Sequence, residues 1–164
     1  MKRVLGPVVL LSAIVVAAVG VGSAIASSTT KVAFTGTYSG KVTEVVNGDS
    51  VTATPKGSGK GTLIGKGTMT GTVKGDTTNP PCSPLAGPGV LKGTKGTLKL
   101  TLLTGSRACA AGQDDQNNIS FSGFAKVTGG TGVMKKATGK LHYSGHYQRD
   151  TGAFNVKLTG TLSH

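Results

Sequence analysis

From Phe34 onward, apolar and polar side chains alternate with a period of two. In Phe34-Thr35-Gly36-Thr37-Tyr38-Ser39-Gly40-Lys41-Val42 the even positions are aromatic, glycine or aliphatic, and the odd positions are Thr, Ser or Lys. The alternation returns from Leu63 to Lys74, at Leu98, Leu100 and Leu102, and at Ile119, Phe121, Gly123, Ala125 and Val127. It returns again at Leu141, Tyr143, Gly145 and Tyr147, and from Phe154 to Leu162. Successive residues of a strand point to opposite sides, so this pattern predicts antiparallel strands with one dry and one wet face. The lysines test the register. Lys41, Lys66, Lys74, Lys99, Lys126, Lys140 and Lys157 all fall on the polar parity, and a shifted register would bury their charges at several kcal/mol each. Two residues break the rule: Ile64 is expected on the wet side and Glu44 on the dry side.

Glycines share the dry parity. Gly36, Gly40, Gly65, Gly71, Gly123, Gly145 and Gly160 sit among the apolar residues. Glycine lets a strand bend sharply and lets backbones approach, which a narrow closed barrel needs more than a flat sandwich does. Asn47-Gly48 and Arg149-Asp150-Thr151-Gly152 each join two alternating runs and read as hairpin turns. Pro55 to Gly59, the proline-bearing stretch Asp76 to Gly89, and Gly105 to Asn118 read as loops. Any helix is limited to about one turn, near Met134 to Ala137. The expected fold is all-β: an antiparallel closed or nearly closed barrel of about eight strands.

The first 26 residues have a different character. Lys2 and Arg3 precede an almost wholly apolar run from Val4 to Val21, and Ala24-Ile25-Ala26 fits a signal-peptidase site. Residues 1–26 are therefore expected to be a signal peptide and 27–164 one barrel domain of a secreted or envelope-associated protein. Contact with a membrane is expected only if the leader stays uncleaved as an anchor. Ser27 rather than Cys follows the cut, so a lipoprotein is not indicated. Cys82 and Cys109 are the only cysteines, and in an exported chain they are expected to form a disulfide between two long loops. The formal net charge is +12, and losing Lys2 and Arg3 with the leader leaves +10.

The stretch Phe121-Ser122-Gly123-Phe124-Ala125-Lys126-Val127-Thr128-Gly129-Gly130-Thr131-Gly132 continues into Val133-Met134-Lys135-Lys136-Ala137-Thr138-Gly139-Lys140-Leu141. It resembles the strand–GGTG–turn–AxG–strand unit of the allene oxide cyclase and dirigent barrel superfamily and its small secreted bacterial relatives. The resemblance spans roughly residues 119–162 and implies an eight-stranded antiparallel barrel. This chain has Met134 where the family usually has an aromatic. Nothing matches the family's catalytic residues, so the resemblance carries no enzymatic role.

Glu44 is the only glutamate in the chain. Its parity aims it inward close to the Asn47-Gly48 turn, where it would serve as a ligand-binding acid or escape to water as a rim residue. Tyr38, Tyr143 and Tyr147 share that inward parity and complete the candidate lumen site. His142 and His146 lie about 13 Å apart on the outer parity, too far to share one ion. Asp114 and Asp115, with Gln113, Asn117 and Asn118, lack the order of a calcium loop and read as a polar connection. No metal site, cofactor or catalytic residue is expected, and the scarcity of outward aromatics argues against nucleic acid. Two functions stay open. One is non-catalytic binding, of anionic cell-envelope polymers by the basic exterior or of a small apolar ligand in the lumen. The other is a cyclase- or dirigent-like enzyme acting on such a ligand. A lumen filled by Phe34, Tyr38, Phe121, Tyr143, Tyr147 and Phe154 favours the first; an open apolar pocket with Glu44 or a tyrosine hydroxyl pointing in favours the second.

Overall fold

The alternating runs form strands, and every pairing between them is antiparallel. The computed structural model of the chain describes residues 30–163 apart from Asn79 and Gln113, so the leader expected at 1–26 lies outside the described residues. The strands are β1 (Lys31–Asn47), β2 (Ser50–Gly61), β3 (Gly65–Gly71), β4 (Val73–Asp76), β5 (Cys82–Ala86) and β6 (Pro88–Gly93). They continue with β7 (Gly96–Leu102), β8 (Arg107–Ala110), β9 (Asn118–Gly132), β10 (Thr138–Gln148) and β11 (Ala153–Ser163).

Three of these pairs are single long strands with a break. β3 and β4 part at Thr72, and β5 and β6 part at Gly87. The register runs on across both breaks, with Gly71 opposite Gly89 and Lys74 opposite Ala86. Thr72 N–H still donates to the Pro88 carbonyl at 3.1 Å. β7 and β8 are separated by a turn, Leu103 to Ser106, in which the Ser106 N–H donates to the Leu103 carbonyl at 3.1 Å and the Ser106 carbonyl accepts from Leu85 N–H at 2.8 Å. With each broken strand taken as one, the circuit is β1, β2, β3/β4, β5/β6, β7/β8, β9, β10, β11 and back to β1. The barrel is closed and eight-stranded, as the glycine parity and the resemblance both predict.

The circuit has two different ends. At one lie the hairpins after Asn47 and Gln148 and the connections 77–81 and 111–117. At the other lie the β2–β3, β6–β7 and β9–β10 turns and the outer ends of β1 and β11. The second end is packed shut: Phe34, Tyr38, Ile64, Leu98, Met134 and Leu162 are each at most 1% exposed. Met134 fills the place the resemblance gives to an aromatic. Gly59, Gly67, Gly93, Gly96 and Gly132 stand side by side across β2, β3, β6, β7 and β9. At Gly67 a methyl group would fall on the Lys92 carbonyl oxygen of the next strand. Missing side chains let the wall curve inward there.

The inward and outward parities hold along the barrel strands, and all seven tested lysines are exposed. Three local expectations do not hold. Ile64 is not an outward strand residue: it lies in the β2–β3 turn, fully buried beneath the closed end. Pro55 to Gly59 is not a loop but the middle of β2. Pro55 falls between the β2–β4 ladder, which ends at Ala53, and the β2–β3 ladder, which begins at Lys56, so no ladder bond is missed on that side. The two cysteine-bearing loops contain strands β5 and β8. β5 tolerates Pro84 because it bonds β4 only at Leu85 and Ala86, and β8 only from Cys82 to Pro84.

Candidate functional site

The half of the barrel away from the packed end encloses a cavity of about 200 Å³. It exists because the residues facing it are small: Ala53, Gly71, Gly75, Gly89, Ala108 and Ala125 stand where the closed end has Phe, Tyr, Ile, Leu and Met. Between them, Val73, Leu85, Leu100, Phe121, Phe154 and Val156 complete a mostly apolar wall. An apolar chamber of this size takes up a small hydrophobic molecule in preference to water.

Polar chemistry gathers at the mouth. Glu44 continues the inward parity of β1, and Arg149 continues that of β10 past Tyr147. Arg149 Nε donates to Glu44 Oε2 at 3.3 Å, the one ion pair among the described residues. Their side chains are 47% and 19% exposed, so they mark where the cavity meets solvent. Arg149 Nη1 donates to the Gln116 carbonyl at 3.0 Å, and the Asp150 N–H donates to Asn117 Oδ1 at 2.7 Å. The 111–117 connection is thereby fastened to the β10–β11 hairpin beside the mouth. Tyr147 lies close enough to Glu44 and Arg149 to feel both charges. Its pKa is raised, first by burial and then by the Glu44 charge, while Arg149 acts the other way.

Of the four lumen residues expected from sequence, Glu44, Tyr143 and Tyr147 line the cavity and Tyr38 does not. Tyr38 belongs to the packed end. Its hydroxyl has no hydrogen-bond partner, and burial pushes its pKa up to about 12. The Tyr143 hydroxyl is also buried, without a well-oriented partner. Its pKa is raised by burial, and Ser106 beside it partly offsets the rise while donating its own proton to the Phe124 carbonyl at 3.3 Å. Arg149 did not stand out in the sequence except as a turn residue, although its place two positions after inward Tyr147 was the available signal.

The remaining candidates stay apart. His142 is exposed and meets the Phe124 ring edge-on at 5.3 Å, while Lys140 lies 3.9 Å over the same ring. Asp115 organises its own loop, accepting from the Asn117 and Asn118 N–H groups and, at 2.8 Å, from Asn118 Nδ2. These bonds, chiefly from Asn118, hold its carboxyl below the ordinary value. Among the described residues no three His, Cys, Asp or Glu side chains are grouped to hold a metal. Cys82 and Cys109 stand opposite each other in β5 and β8 and form a disulfide, Cα atoms 4.0 Å apart. It crosslinks the cavity wall near the mouth.

A closed eight-stranded antiparallel barrel with interrupted strands, a packed end and a hollow end is a dirigent-like barrel. The structure of a pterocarpan synthase dirigent protein superposes on this chain with a TM-score of 0.52 at 10% identity, covering 83% of this chain and 89% of that one. At that identity the likeness concerns the fold alone. No family model matches the sequence, and no curated protein matches it.

Proposed function

We propose that this is a secreted barrel that holds a small, largely apolar molecule with one polar end, without transforming it. The observation that carries this is the 200 Å³ cavity, mostly apolar along its wall and with its charged groups, Glu44 and Arg149, at its mouth. A one-ring or compact two-ring compound suits that space, its polar group beside Glu44, Tyr147 and Arg149. Catalysis is the weaker reading. Glu44 is paired with Arg149. The tyrosines on the wall titrate above their ordinary value, so neither is poised for proton transfer near neutral pH. Export rests on the leader sequence, and the disulfide supports it, since such bonds persist in oxidising compartments.

Titration with indole, phenol and a long-chain fatty acid tests the proposal. The chain has no Trp, so indole fluorescence reports binding directly. Indole and phenol are expected to saturate one site and the fatty acid to fail. Ala53→Leu, which fills the cavity opposite Glu44, is expected to abolish indole binding. Absence of binding, or equal binding by the variant, refutes the reading.

A further inference from the structure

All six Asp and Glu residues lie at the mouth end: Glu44 and Asp49 by the first hairpin, Asp76 at the end of β4, Asp114 and Asp115 before β9, and Asp150 in the last hairpin. Among the described residues the closed end has no Asp or Glu. It carries Lys95, Lys135 and Lys136 in its turns and Lys60, Lys66 and Lys92 near its strand ends, all exposed. Lys60 and Lys66 face each other directly across β2 and β3. Like charges placed opposite one another are destabilising; Lys41 and Lys56, and Lys126 and Lys140, are opposed in the same way, but of the two ends only the closed one has no acidic side chain among the described residues. Among the described residues no ion pair neutralises this end.

One further fact selects the anion. Val133, 49% exposed, projects from the β9–β10 turn beside Lys135 and Lys136. A basic face with an apolar tip fits a lipid surface better than a soluble polymer. We infer that the closed end docks on an anionic lipid bilayer, with the mouth of the cavity directed away from it.

The test is flotation with vesicles of phosphatidylglycerol and phosphatidylcholine against phosphatidylcholine alone. The protein is expressed with its own leader and purified as the host processes it. Near an anionic surface each lysine contributes about fivefold in affinity. The combined variant Lys92→Glu, Lys95→Glu, Lys135→Glu, Lys136→Glu is expected to bind anionic vesicles more than about a hundredfold more weakly. A control of equal net charge, Lys56→Glu, Lys74→Glu, Arg107→Glu, Lys157→Glu, is expected to lose less than about tenfold, and high salt to release the parent protein. Indole binding by both variants verifies the fold, and if indole binds none of the forms, matching thermal transitions serve instead. Equal losses in the two variants would show that only net charge matters and overturn the inference. So would binding confined to inorganic polyphosphate, or no binding to anionic vesicles.

Discussion

Substituting Gly67 by Ala isolates the geometry that closes the barrel. Gly67 and Gly89, an inward glycine farther along the adjacent strand β6, both have φ outside the left-handed region, so backbone strain is not at issue for either. They differ in what a methyl group meets. At Gly67 it meets the Lys92 carbonyl and the Gly93 Cα, which lies 2.7 Å away; at Gly89 nothing comes nearer than 3.7 Å. The obstacle at Gly67 is backbone, so no rotamer change relieves it, and β3 must move off β6. Overpacking of this kind reaches the upper part of its usual range, about 3 kcal/mol. For a chain of this size that lowers Tm by about 10 °C. Gly89→Ala reduces the freedom of the unfolded chain without a clash and is expected to be neutral or to stabilise by up to about 1 kcal/mol. Urea and thermal unfolding followed by tyrosine near-ultraviolet circular dichroism measure both. A Gly67→Ala protein as stable as the parent, or two variants equally impaired, would refute the claim that the glycine row lets the wall turn inward.

Replacing both Cys82 and Cys109 by Ser opens a loop with a sequence separation of 27 residues. The expected loss is about 3.5 kcal/mol in urea unfolding, with weaker indole binding because β5 and β8 have only short ladders to keep the wall in place. Tyr38→Phe removes a buried hydroxyl without a partner and is expected to stabilise by about 1 kcal/mol at neutral pH. In the parent, the Tyr38 pKa raised from 10.0 to about 12 means that the unfolded chain loses this proton first, so stability falls as pH climbs from 10 toward 12, a loss the Phe variant does not share. Spectrophotometric titration of the native parent is expected to show tyrosinate late, since burial raises all three tyrosines, and an earlier transition refutes the assignment.

Parity made most of the barrel legible. Residues such as Phe34, Leu141 and Val156 repeat at every second place, and lysines occupy the places between. The pattern faltered where the third dimension decides. Ile64 is apolar on the polar parity because it leaves the strand and caps the barrel from a turn. Pro55 looked like a breaker because a sequence does not show that β2 changes partners beside it. β5 and β8 carry too few residues for alternation to register, yet they complete the wall that bears the disulfide. Glu44 was visible as an inward acid. Its partner Arg149 was hidden in a turn motif, and the cavity was not visible at all, because a small inward residue marks a void only when its neighbours across the lumen are also small. The interior combines both sequence expectations, with Phe34 and Tyr38 filling one half and Phe121, Tyr143, Tyr147 and Phe154 surrounding a space in the other.

That division has an energetic consequence. An unfilled apolar cavity costs about 24 cal/mol per Å³, so 200 Å³ forgoes about 5 kcal/mol of packing. A domain's whole stability is about 5–15 kcal/mol, so this is a large sacrifice, and one the same chain avoids at its other end. If the space is kept for a ligand, filling it by mutation and filling it by binding should substitute for each other. Ala53→Leu adds apolar atoms to the void and is expected to raise stability by about 1 kcal/mol while removing the thermal shift that indole gives the parent. In the parent, indole at a hundred times its Kd is expected to stabilise by about 2.7 kcal/mol. A variant that is destabilised yet still shifted by indole would mean the leucine went elsewhere and the ligand sits outside the lumen. A variant that is stabilised and no longer shifted would show both acting on the same empty space.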